Sequence, residues 1–170
     1  MIAPAYVRTM SAYNREMNRR IYAAASRLPD EARRAEGGAF WGSIHGTLNH
    51  LLWGDQIWMS RFAGWAKPVV TQKESAHLIA AFPKLAEERE RADRDICAWA
   101  DTVGEAWLGG NLTWFSDSAQ REVTAPRAFL VVHMFNHQTH HRGQAHALLT
   151  RAGEATGDTD LFMVLKPSRE

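Results

Sequence analysis

The chain has 170 residues, with 20 basic and 19 acidic side chains, a formal net charge of +1 and 45% hydrophobic residues. That length and balance suit one globular domain with a core of its own and exclude a disordered chain. Near-neutral charge without a run of Lys or Arg leaves no electrostatic footprint for nucleic acid, and no stretch reaches the roughly 18 apolar residues of a membrane span.

Helical periodicity opens the chain. Val7, Met10, Tyr13, Met17, Ile21 and Ala24 recur at three- and four-residue steps, which predicts a helix from about Tyr6 to Leu28. Pro29 to Gly38 is polar, with a proline and a glycine pair, and reads as a connection. Ser43 is an N-cap candidate for a second long helix, which runs to about Phe62 and is closed by Gly64 and Pro68. Thr71 to Leu78 reads as a loop or short turn. A third long helix starts near Ala81, places Pro83 in its first turn, and continues to Thr102. Its alternating charges, Glu87 to Arg91, read as a solvated face carrying i,i+4 pairs. Cys97, the only cysteine, permits no internal disulfide; beside Trp99 it reads as a small hydrophobe rather than a nucleophile. Leu112 to Val123 is either a short hairpin or an irregular crossover. Pro126 opens the fourth long helix, which runs to about Arg151 and is stopped by Gly153 and Gly157. A further short element through Leu161, Phe162, Val164 and Leu165 fits the tail, Asp158 to Glu170.

Four amphipathic helices of about 20 residues must bury their stripes against one another, so the expected fold is all-α, a four-helix bundle in one domain spanning residues 1–170. The N-terminal residues lack the charged-then-apolar pattern of a secretory signal. With a lone cysteine, a reducing, cytoplasmic setting follows.

Eight histidines are present, five of them between His133 and His146. At 100° per residue, His137 and His141 lie about 40° apart on one helical face, with Leu130 and Leu148 about 20° from His137. Histidines at i and i+4 on a helix are a chelating pair. Two on one inward face each need a buried partner, and a metal ion supplies both at once. Gln138 stands where a zincin protease would carry its glutamate, so no built-in general base follows the first histidine. His146 lies about 180° from His137 and is expected to be exposed, while His133 and His140 fall on the flank, at the surface or rim. A third ligand must come from a facing helix. His50 lies about 100° from the apolar centre of the second long helix and borders the core, whereas His45 lies about 120° on the other side and faces away. Gly54, one turn beyond His50, leaves room for an ion or ligand. The wheel therefore favours His50, His137 and His141.

Two blocks carry a resemblance to a known family: Gly42-Ser-Ile-His-Gly-Thr-Leu-Asn-His-Leu-Leu-Trp-Gly-Asp55 and His133-Met-Phe-Asn-His-Gln-Thr-His-His-Arg-Gly-Gln144. Together with Tyr13-Asn14 and Asn18, they resemble the DinB family, named for damage-inducible genes and distinct from the similarly named DNA polymerase. The resemblance implies a four-helix bundle with a long crossover connection, a metal held by His50, His137 and His141, and a homodimer. Relatives include enzymes of thiol-dependent transfer and isomerisation, and many are described only as metal-dependent hydrolases. The loops around Phe40-Trp41 and Leu108 to Ser118 match no activity of the family.

Three imidazoles leave the ion an open position, the arrangement of catalytic rather than structural zinc. The expected cofactor is a divalent transition metal, zinc or nickel first and iron after them. The expected partner is a small-molecule substrate, including a low-molecular-weight thiol; neither nucleic acid nor membrane is expected. Asn49, Asn136, Asp55, Gln144 and Tyr13 are candidates for orienting the imidazoles or are packing residues. Arg142 either binds a substrate carboxylate or pairs with an acid on a neighbouring helix. Trp53 and Trp58 read as core rather than as a substrate platform.

Overall fold

A computed structural model describes residues 1–117 and 119–165. The first helix, α1, spans Pro4–Arg27, its proline in the first turn where the missing N–H is not needed. After a one-turn helix, α2 (Asp30–Arg34), the Ser43 side chain accepts a hydrogen bond from the Gly46 backbone N–H and starts α3, Ile44–Phe62. The segment Thr71 to Leu78 is more ordered than expected. It forms a 3-10 helix, Gln72–His77, closed by a reciprocal capping box between Thr71 and Glu74. Then come α4 (Phe82–Thr102), α5 (Glu105–Leu108), the hairpin β1 (Asn111–Ser116) and β2 (Arg121–Pro126), α6 (Arg127–Arg151) and α7 (Leu161–Val164). The hairpin is antiparallel, with Asn111 opposite Pro126 and Ser116 opposite Arg121. Of the tail predicted to carry a short element, Lys166 to Glu170 lie outside the described residues.

The four long helices pack in a ring of neighbours, α1 on α4, α4 on α3, α3 on α6 and α6 on α1. α1 and α3, consecutive among them, therefore face each other across the ring. Two apolar clusters fill the interior. One holds Ile21, Leu48, Leu51, Leu52, Phe82, Leu85 and Leu149; the other holds Val7, Trp58, Met59, Phe62, Ile96, Val131, Met134 and Phe135. At the level between them each long helix contributes buried polar groups: Asn14 and Asn18, Asp55, Arg89 and Asp93, and Gln138 and Arg142.

That layer corrects two expectations. Arg89, read as part of a solvated charge run, is 2% exposed; it pairs with Asp55 at 2.6 Å and with Asp93 at 2.8 Å, and Asn18 donates to Asp93. Four of the five residues in that run do reach solvent, but every fourth helical position turns inward, and a buried cation is tolerated only with such partners. Arg142 forms no ion pair with an acid on a neighbouring helix among the described residues. It is buried over the Tyr13 ring and donates to the Gln138 side-chain carbonyl and the Thr139 hydroxyl. Cys97 is half-buried, and burial pushes its thiol pKa up, away from nucleophilic use.

Candidate metal centre

The centre lies between α3 and α6, under two segments that precede and follow α3. His50 projects from α3, one turn before Gly54, and His137 and His141 project from successive turns of α6. Gly54 permits the approach, because a Cβ there would stand 2.7 Å from His137 Cε1 and 3.1 Å from its Nδ1. Gly46 does the same for the preceding loop, whose Trp41 carbonyl oxygen occupies the space a Cβ would need. Trp41 can thereby lay its ring on His50, centroid to centroid 3.9 Å, nearly parallel. Trp53 flanks His50 on α3, held by its indole N–H to the Val70 carbonyl at 2.9 Å.

One metal-ligating atom from each of His50, His137 and His141 can be chosen so that all lie within 4.8 Å of one another. The surrounding hydrogen bonds fix which atoms these are. The Ser75 hydroxyl donates to the Gln72 carbonyl at 2.6 Å, so its oxygen accepts from His50 Nδ1–H at 2.8 Å. His141 Nδ1–H likewise donates to the Gln144 side-chain carbonyl at 2.8 Å. Both rings thus keep their proton on the outer nitrogen and leave the Nε2 lone pair free. His50 Nε2 faces His137 Nε2 at 3.0 Å. A proton between those two would leave the His141 lone pair unanswered, whereas one cation answers all three.

The protonation states suit a metal. Burial, and then the neighbouring His137 and His141, push the His50 pKa down to about 2. Burial and the other histidines push that of His137 down to about 3, and burial lowers that of His141 against the opposing hydrogen bond from Gln144. Near neutral pH all three rings are uncharged, as ligation requires. The donor set of three neutral nitrogens, two of them oriented by outer hydrogen bonds, fits a divalent transition ion.

Several sequence expectations are revised by position. His45, expected to face away, is 3% exposed and its Nε2 lies 3.0 Å from the Ile79 carbonyl. The 3-10 segment and the residues after it cover that face of α3, which no wheel of α3 alone reveals. Asn49 pins the same cover, its side chain bonding both the N–H and the carbonyl of Ile79. His146 is half-buried and 2.5 Å from the Thr156 hydroxyl, because the chain after α6 folds back over it. His133 and His140 are exposed, as their flank positions suggested. Of the five candidates for orienting ligands, only Gln144 touches one. Asn136 is exposed, Tyr13 donates to the Thr159 carbonyl, and Asp55 serves Arg89 and Gln138. Gln138 bonds Asp55 and the Leu51 carbonyl, so its side chain points into the core and away from the histidines. Ser75 was missed; its only signal in the sequence is the Thr71-x-x-Glu74 capping pattern that orders its segment.

A cavity of about 580 Å3 opens beside His137, with Trp53, Gly54, Ile57 and Trp58 of α3 along one wall. Both tryptophans line it, so they form a contact surface as well as packing.

A helical protein with three converging imidazoles beside an open cavity belongs to the class of candidate mononuclear metal proteins. The family model described as DinB family matches residues 1–169, and the chain belongs to that family. No curated protein and no solved structure matches it significantly.

Proposed function

We propose that this chain binds one divalent transition-metal ion through His50, His137 and His141 and is an enzyme that activates a thiol or water for transfer to, or hydrolysis of, a small molecule. The observation that carries the reading is the convergence of three uncharged imidazoles, two with their outer nitrogens already bonded to Ser75 and Gln144. A closed structural site would need a fourth protein ligand, and among the described residues the cluster comprises these three alone. When bound, such an ion would lower the pKa of a water at its remaining position to about 7, or hold a thiol there as the thiolate. The protein's own part is to hold the imidazoles neutral and oriented, to wall the site with Trp41 and Trp53, and to offer the adjoining cavity to the substrate. The ring of long helices supports reading the fold as a four-helix bundle in a single domain, with residues 63–81 as the long connection between α3 and α4. A homodimer and a low-molecular-weight thiol belong to the same proposal, supported by family membership.

The test is elemental analysis of purified protein and of alanine variants. One ion per chain is expected, lost in His50→Ala, His137→Ala and His141→Ala and kept in His146→Ala. Full occupancy in His137→Ala would refute the ligand assignment. Turnover is then sought by pairing low-molecular-weight thiols with electrophilic acceptors, and its absence across a broad panel would favour a non-catalytic, sensing or structural ion.

A further inference from the structure

The cavity beside His137 ends on a charged group that the proposed metal site does not use. Arg61 lies two turns beyond Gly54 on the same face of α3, about 10 Å along the axis at 1.5 Å per residue. Helical side chains lean toward the N-terminus of their helix, and Arg61 does so. Its guanidinium lies 4.6 Å from the Trp58 ring centroid and 5.3 Å from that of Trp114 on β1, so it is held over two indoles facing the cavity. Among the described residues no carboxylate lies within ion-pair distance of it; Asp117 at the hairpin end acts on it only at longer range. Half-burial pushes its pKa down against the opposing charge of Asp117. Lys67 and His133 line the same cavity, and Asp117 is the only acidic residue among its described lining groups. Between Arg61 and His137 the α3 wall is apolar, formed by Trp58, Ile57 and Trp53, while His133 of α6 also borders this stretch, its ring centroid 5.1 Å from that of Trp58 and 6.2 Å from that of His137.

We propose that this cavity binds an elongated apolar carboxylate, its carboxylate held by Arg61 and its other end presented to the three histidines. A planar guanidinium stacked on indoles keeps its donor edge fixed and matches a carboxylate with two parallel hydrogen bonds. The apolar α3 wall between charge and histidines accepts an aryl or alkyl segment of several carbons. Arg61 is thus a specificity residue of the site described above, and its assignment as such rests on the reading that the histidines mark the reactive end.

The test uses the full chain, freed of metal so that no ion at the histidines can itself take a carboxylate. It is titrated with 4-phenylbutyrate, with the uncharged 4-phenylbutyramide and with 3-phenylpropylphosphonate, following tryptophan fluorescence. The carboxylate is expected to bind at least tenfold tighter than the amide. Arg61→Gln, which keeps a hydrogen-bonding side chain without the charge, and Arg61→Leu should both bring acid and amide within twofold of each other. Equal binding of acid and amide by the unaltered chain would overturn the proposal, as would a preference that survives both variants. Phosphonate binding more than tenfold tighter than carboxylate would overturn the carboxylate assignment. If no ion binds the histidines yet Arg61 still selects the acid, the carboxylate subsite stands and the metal reading falls.

Discussion

Replacing Gly54 by alanine separates the stability of the fold from the integrity of the centre. The new Cβ would stand 2.7 Å from His137 Cε1, a distance that forces the imidazole to turn, since the α3 backbone is fixed by packing on both sides. A ring displaced from its place costs metal affinity by about 10- to 100-fold, the range found when support for a ligand is lost. In the helix itself the change is favourable, since alanine exceeds glycine by about 1 kcal/mol in a helix interior. Metal-free Gly54→Ala should therefore lie within about 1 kcal/mol of the unaltered protein. On the proposed reading, zinc at 100 times its dissociation constant would contribute about 2.7 kcal/mol to the unaltered chain. For a protein of this size that is about 5–11 °C in melting temperature. At the same zinc concentration the variant would gain only about 0.4–1.4 kcal/mol, or about 1–6 °C. Gly143→Ala is the control, because a Cβ there meets nothing within 4 Å; it should gain helix stability and keep the full zinc effect. The assay is thermal unfolding with and without zinc, alongside competition titration against a chromophoric chelator. If Gly54→Ala bound zinc as tightly as the parent, the account of how His137 is placed would be wrong.

Other consequences follow from single contacts. Ser75→Ala removes the acceptor for His50 Nδ1–H and should weaken metal binding about 10- to 100-fold, measured by the same chelator competition; unchanged affinity would remove Ser75 from the centre. Asp55→Ala leaves Arg89 and Gln138 without their shared carboxylate and should destabilise the protein by about 3 kcal/mol or more, read from urea unfolding; a loss below about 1 kcal/mol would show that the polar layer relaxes freely. The pH effect has a definite sign. The folded-state pKa of His50, about 2, lies below the ordinary 6.5, so the unfolded chain takes up a proton first as pH falls. The stabilisation is complete above about 6.5 and is lost below it at up to about 1.4 kcal/mol per pH unit for that residue. Metal-free protein should therefore unfold more easily at pH 5 than at pH 7, and His50→Phe should flatten the slope. Metal binding, which also needs neutral imidazoles, should weaken over the same interval; a zinc-induced shift as large at pH 5 as at pH 7.5 would point to carboxylate ligands.

The parts of this protein that a one-dimensional pattern can specify were legible in its sequence. The four long helices follow from three- and four-residue recurrence, and their ends from local chemistry: Ser43 as cap, Pro83 and Pro126 at helix starts, Gly64 and Gly153 at positive φ after helix ends. The shared face of His137 and His141 follows from helix geometry alone, because both lie on one element. What the tertiary structure decided is what covers each face. His45 and Asn49 are buried because the 3-10 segment lies on α3, and Ser75 reaches His50 for the same reason, across 25 residues of chain. Arg89 turned from a surface charge into a buried one because Asp55 and Asp93 meet it there, from another helix and from its own next turn. A helical wheel fixes direction relative to one axis. Burial, ion pairing and ligand orientation depend on the neighbour that arrives from elsewhere, and that neighbour is chosen only when all the helices pack together.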